Sequence, residues 1–168
     1  SKIEVVRAYW PNHVIETHIM SKNPLCLIND NILNFSDIIY VHNEIENKDE
    51  VVNKIKNKNK TPGIVLHSIN KYTNLEKIID QFNQILILSI KKPGFSGQEF
   101  NEKSYELIEQ INSTKSRNRL TVCVDGGVKS KIKNKFISEK VVSGSEVLNN
   151  KNPIRKIMSL QTLARYEK

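Results

Sequence analysis

The sequence predicts an α/β protein made of repeated strand-helix units, and three observations lead to that class. Short runs rich in Ile, Val and Leu alternate along the chain with segments whose apolar residues recur at helical spacing. The most apolar run, Ile85-Leu-Ile-Leu-Ser-Ile90, shows no inside-outside alternation, as expected of a parallel strand covered on both faces. The strands also tend to end in Gly, His or Asp rather than in a hairpin turn. One helix followed by six βα units accounts for the 168 residues as a single domain over residues 1–168, with no linker or low-complexity stretch. Such repeats build either a doubly wound sheet or a (β/α)8 barrel, and a whole barrel needs about 250 residues.

The elements follow in order. Residues 2–9 read as a short helix that stops at Trp10-Pro11, because proline disfavours helical backbone in the residue before it. Residues 13–20 have strand character, with Glu16 and His18 on one face by period 2. Ser21 to Pro24 resembles a helix start, and Leu25, Leu27, Ile28, Ile32 and Leu33 follow at helical spacing. A second strand over residues 37–44 puts Tyr40, His42 and Glu44 on one face. Asp49 and Glu50 open the next helix, where acids favour the positive end of the dipole. Strands over 62–69, 85–90 and 120–125 alternate with helices over 74–82, 101–116 and 130–139. Residues 141–147 give the last strand and turn, and Asn152-Pro153 opens the final helix.

Composition narrows the function classes. The net charge is +8, but the lysines are interspersed with asparagine rather than gathered with aromatics, which argues against a nucleic-acid partner. The positive field suits capture of a phosphorylated small molecule. Cys26 and Cys123 stand in apolar surroundings at no metal or redox spacing, so reduced thiols and a cytoplasmic setting are expected. No apolar run is long enough for a membrane span, and no signal peptide is visible.

In either architecture ligands bind at the C-terminal ends of the strands, and the chemically capable residues fall there: His18, His42, His67, the loop Gly94-Phe-Ser-Gly97, Asp125-Gly-Gly127 and Gly144-Ser145. Asp125 is delivered to the mouth of its strand as a proton carrier. Gly126 and Gly127 follow without any Cβ, so an anion can approach their amides. Three glycine-containing loops after late strands suit phosphate binding. Taken singly, each has a plainer reading: Asp-Gly-Gly as a capped turn, Gly-Ser as a helix cap, and His42 and His67 as hydrogen-bonded core residues.

Five segments, in this order and spacing, resemble the ribulose-phosphate 3-epimerase family: His18-Ile-Met with Pro24, Val41-His-Asn-Glu44, Pro93-Gly-Phe-Ser-Gly-Gln-Glu-Phe100, Val124-Asp-Gly-Gly-Val128 and Val142-Ser-Gly-Ser145. The resemblance covers essentially the whole chain. It implies a ribulose-phosphate-binding (β/α)8 barrel, here cut to about six βα units after a helix. It further implies interconversion of D-ribulose 5-phosphate and D-xylulose 5-phosphate by proton exchange at C3, assisted by a divalent metal, zinc or else iron, manganese or cobalt. By motif, Asp125 is then acid/base and metal ligand, and His18 a second ligand that also borders the substrate. Gly94, Phe95, Ser96 and Gly97 border the substrate, while Gly126, Gly127, Gly144 and Ser145 hold the phosphate.

The chain departs from the pattern in places that matter. The family's first two strands, with the partner aspartate and two metal ligands, would lie before residue 1. Two protein ligands bind a catalytic metal weakly, since three is the usual minimum. His67-Ser-Ile-Asn70 stands where the family has an Asn-Pro segment, Ser96 replaces a glycine, and the stretch from Asp125 to Gly144 is short. The expectations are a phosphorylated ketose as ligand, weakened or lost metal binding, near-inactivity of this chain alone, and exposed strand edges that leave the piece poorly stable, paired with another copy or closed differently.

Overall fold

The computed structural model describes residues 2–162. The chain divides into two compact units, Ser1–Val65 and Leu66–Lys168. In order the elements are α1 (Lys2–Tyr9), β1 (Glu16–Ile19), a 3-10 turn (Pro24–Cys26), α2 (Asp30–Phe35), β2 (Ile38–His42), α3 (Lys48–Lys56), β3 (Thr61–His67), α4 (Leu75–Ile79), β4 (Gln84–Leu88), α5 (Lys103–Asn112), a 3-10 turn (Arg117–Arg119), β5 (Thr121–Asp125), α6 (Ser130–Lys133), β6 (Lys140–Val142), α7 (Ser145–Leu148) and α8 (Pro153–Thr162). The succession of one helix and six βα units is as the sequence predicts.

In the first unit β1, β2 and β3 pair in parallel, with His18 level with Tyr40 and Tyr40 level with Gly63. Gly63 is required there, because a Cβ would lie 2.3 Å from the Tyr40 ring. Ile19, Ile28, Leu33, Ile39, Val41, Val51 and Ile55 form the core between these strands and the covering helices. Each such side chain contributes about 1.5–3 kcal/mol when fully buried. The predicted helix after Pro24 is two pieces. Asn29 turns to extended backbone and its side chain accepts from Ile32 N–H, so it caps a new helix rather than continuing the old one.

In the second unit β4, β5 and β6 pair in parallel, with Asp125 level with both Leu88 and Val142. Ile85, Ile87, Val122 and Val124 are fully buried, as are Ile79 on α4 and Ile108 and Ile111 on α5, which packs on β4. The helix expected over 130–139 ends at Lys133. The remaining residues serve other contacts: Phe136 stacks on Phe100, and Glu139 accepts from the Val122 amide while pairing with Arg117. No helix among the described residues is long and apolar enough to cross a membrane.

Candidate functional site

In the second unit β4 and β5 reach their C-terminal ends level with each other, because Leu88 and Asp125 share a register position. The loops after them are joined through Ser89, a fully buried residue immediately after β4. Its amide and its hydroxyl both donate to the Asp125 carbonyl, at 2.7 and 2.8 Å, and the hydroxyl also reaches the Gly126 carbonyl at 2.7 Å. One buried hydroxyl therefore fixes the peptide on which the aspartate is mounted. Asp125 itself is half-buried at the strand's end.

Both following glycines are needed by the backbone. Gly126 has φ +116° and Gly127 φ +65°, in the region that side chains rarely adopt. A Cβ on Gly126 would meet the Ile90 side chain at 2.5 Å; one on Gly127 would lie 2.3 Å from the Phe100 nitrogen and 2.7 Å from the Glu99 carbonyl carbon. The Asp125 turn is thus packed directly on the main chain of the 93–100 loop.

That loop is held by its own side chain. Gln98 accepts from the Lys92 amide at 3.0 Å and donates to the Lys92 and Phe95 carbonyls at 2.6 and 2.8 Å, closing the segment into a ring of hydrogen bonds. Gly94 and Gly97 have φ of +87° and +77°, and open space lies where their Cβ atoms would be. Phe95 and Ser96 are exposed on the same loop. On the other side His67, which is buried, meets the Ile90 carbonyl through Nε2 at 2.7 Å, and the Tyr72 hydroxyl bonds its main chain. A carbonyl only accepts, so His67 Nε2 carries the proton.

The third loop is tied to the second. Ser143 Oγ donates to the Val128 carbonyl at 2.6 Å, and Ser130 donates to Glu146 on α7. Gly144 and Ser145, at the start of this four-residue helix, are exposed. Lys156 lies 3.0 Å from Glu146, and its ammonium holds the Glu146 carboxyl below the ordinary range, with help from Ser130 and against the cost of burial.

In the first unit His18 meets His42: Nε2 to Nε2 is 2.9 Å, and Glu44 lies 3.7 Å from His42 Nδ1. Tyr40 donates to Glu16 on the same pair of strands. No group of three or more His, Cys, Asp or Glu among the described residues is arranged to hold a metal ion. A catalytic metal needs about three protein ligands. The described residues therefore do not fit such a centre.

A family model described as the Ribulose-phosphate 3 epimerase family matches residues 1–148. This chain belongs to the ribulose-phosphate 3-epimerase family. Proteins named ribulose-phosphate 3-epimerase resemble it: that of Encephalitozoon cuniculi is 30% identical over 115 residues, which are 68% of this chain and 51% of that one. The Helicobacter pylori protein is 32% identical over 139 residues, 75% of this chain and 60% of that one. The chain thus spans about half to three-fifths of the length of these epimerases. Among solved structures, 3-hexulose-6-phosphate synthase from Salmonella typhimurium superposes with a TM-score of 0.71 at 12% identity, covering 96% of this chain and 77% of that one. KGPDC from Streptococcus mutans gives 0.68 at 13% identity, covering 96% and 76%. These likenesses establish the fold as part of a (β/α)8 barrel.

Sequence reasoning alone missed Ser89, Gln98 and Ser143 as the fasteners of the epimerase-family loops. Ser89 left a signal, as the one polar residue within an apolar strand. His67 is the hydrogen-bonded core residue that its position suggested.

Proposed function

We infer that this chain carries the phosphate-binding and proton-transferring part of an epimerase acting on a phosphorylated ketose, D-ribulose 5-phosphate to D-xylulose 5-phosphate. The observation that supports it is the Asp125 turn: a carboxylate at a strand's end, mounted on a peptide fixed by Ser89 and followed by two left-handed glycines. In this reading the phosphate is held by the amides of Gly126, Gly127, Gly144 and Ser145, and Gly94 to Gly97 rim the sugar. Amide dipoles already aimed at an anion need no reorganisation when it arrives.

The C3 hydrogen lies next to the C2 carbonyl, so removing it as a proton leaves an enediolate with charge on oxygen. The Asp125 carboxylate takes that proton and becomes a carboxylic acid. Inversion then requires a second acid to deliver a proton to the opposite face of C3. No such partner is assigned on this chain, whose expected activity is therefore binding with little net epimerisation. His18, which the family pattern assigns to a metal, is hydrogen-bonded to His42 in the first unit.

The test is exchange at C3 in D2O. Ribulose 5-phosphate incubated with this chain is expected to shift the amide resonances of Gly126, Gly127, Gly144 and Ser145 with little xylulose 5-phosphate formed. In a version of the protein that turns over, Asp125→Asn is expected to lower kcat by about 10²–10⁴-fold. Amide shifts confined to other regions, or robust turnover by Asp125→Asn, would refute the assignment. A non-catalytic phosphosugar binder is the second reading, favoured by the lack of a three-ligand cluster among the described residues. It predicts the same amide shifts with no deuterium entering C3.

A further inference from the structure

We propose that the second unit carries a further small-molecule site, a cleft for a polyhydroxylated organic anion between the segment after β3 and helix α5. The cleft has a volume of about 390 Å³, within the range of roughly 300–1,000 Å³ that small-molecule pockets occupy. One wall is a single stripe of α5: Lys103, Glu106, Leu107 and Gln110 stand at i, i+3, i+4 and i+7, on one side of the helix. The other wall is Ser68 to Tyr72, which follows β3 directly. The cleft lies on the face of the strands away from the Asp125 side chain. The Ser68 amide donates to the Leu88 carbonyl at 3.1 Å, just as the Ser89 amide donates to the Asp125 carbonyl, so His67, Leu88 and Asp125 stand level. Residues level in a parallel ladder send their side chains to the same face, and the next residue sends its to the other. Ser68 therefore leaves on the side opposite to Asp125, where it lines the cleft.

The lining selects the chemistry. Lys71 comes from the loop and Lys103 from the helix, so two cations stand on the two walls against one carboxylate, Glu106. That balance favours an anion. Glu106 accepts from Gln110 Nε2 at 3.3 Å through one oxygen, and its other oxygen suits a hydroxyl donor. Ser68 is buried and its hydroxyl accepts from Asn101 Nδ2 at 3.3 Å, which leaves its own proton to donate. Tyr72 serves the wall instead: its hydroxyl accepts from the His67 amide at 2.7 Å and donates to the His67 carbonyl at 3.1 Å, which fixes the loop before any ligand arrives. Ile69 and Leu107 supply apolar surface that a bare inorganic ion would not use, so the ligand has a carbon skeleton. A charged group, several hydroxyls and a short carbon chain describe a sugar acid or a sugar phosphate.

Gluconate and glucose 6-phosphate, each titrated into the whole chain and followed through the amide resonances, test the site and tell its two ligand sources apart. At least one is expected to shift the amides of Ser68 to Tyr72 together with those of Lys103 and Glu106, and the tighter of the two shows whether carboxylate or phosphate is the charged group. Lys103→Met and Lys71→Met should each weaken that binding by about three- to tenfold, the range for loss of one partly exposed charged contact. Lys151→Met removes the same charge from an exposed position elsewhere in the unit and should leave the affinity unchanged. Shifts of both probes confined to Gly126, Gly127, Gly144 and Ser145, no shifts with either probe, or equal losses in Lys103→Met and Lys151→Met would overturn the assignment. The wild-type spectrum alone locates the probe, so a variant that fails to fold does not decide the matter. Failure here leaves the phosphosugar reading of the Asp125 turn intact, since ribulose 5-phosphate tests that reading at its own amides.

Discussion

Replacing Gly127 by alanine probes the contact on which the proposed site rests. Gly127 has φ +65°, and left-handed backbone costs an alanine about 1–2 kcal/mol. The new methyl would also lie 2.3 Å from the Phe100 nitrogen, 2.7 Å from the Glu99 carbonyl carbon and 2.9 Å from the Gln98 oxygen. All three are main-chain atoms, so no side-chain rotation relieves the overlap and the loop has to move. Overpacking of this kind costs about 1–3 kcal/mol, which brings the total to about 2–5 kcal/mol. Gly97→Ala is the control: its φ is +77°, with open space at the methyl position, so only the backbone cost of about 1–2 kcal/mol remains. Gly144→Ala has neither burden and should stay within about 0.5 kcal/mol of wild type. The single tryptophan, Trp10, belongs to the first unit and reports on the wrong part of the chain. Hydrogen exchange at the Val122 and Val124 amides reports on β5 instead. Equal protection losses in Gly127→Ala and Gly97→Ala would refute the packing of the Asp125 turn on the 93–100 loop.

Two further outcomes follow from the same contacts. His67→Phe keeps an aromatic ring but removes the donor to the Ile90 carbonyl, so urea unfolding should show a loss of about 1–3 kcal/mol, part of which His67→Gln recovers. The Glu146 carboxyl is held below the ordinary glutamate value of 4.5, first by the hydrogen bond from Lys156. A folded-state value below the unfolded one gives stability that is present above 4.5 and is lost as pH falls through the lowered value. Lys156→Met should flatten that acid-side loss, read as stability against pH.

The parts of the fold visible in the sequence were those governed by local rules. Apolar runs marked the strands, and Asn152 and Pro153 marked the start of α8, where the Asn152 side chain accepts from the Arg155 amide. The glycines of the 93–100 loop and the Asp125 turn were legible for the same reason, since positive φ is a constraint on a single residue. Helix lengths were less legible. The segment after Lys133 has helical spacing, yet Phe136 and Glu139 gain more from Phe100 and Arg117 than from extending α6. Such partners lie tens of residues away and leave no periodic trace.

The histidines show where legibility stops. Period 2 placed Glu16 with His18 and Tyr40 with His42, and the hydrogen bonds Tyr40 to Glu16 and His18 to His42 join those two faces. Which residue meets which was set by strand register, with His18 level with Tyr40, and a shift of one residue would have turned every one of these side chains to the other face. The core fixes that register: Ile19, Ile39 and Val41 have to point into the apolar cluster, which leaves the two imidazoles only the opposite face on which to meet. The hydrophobic pattern thus specifies the His18–His42 contact indirectly.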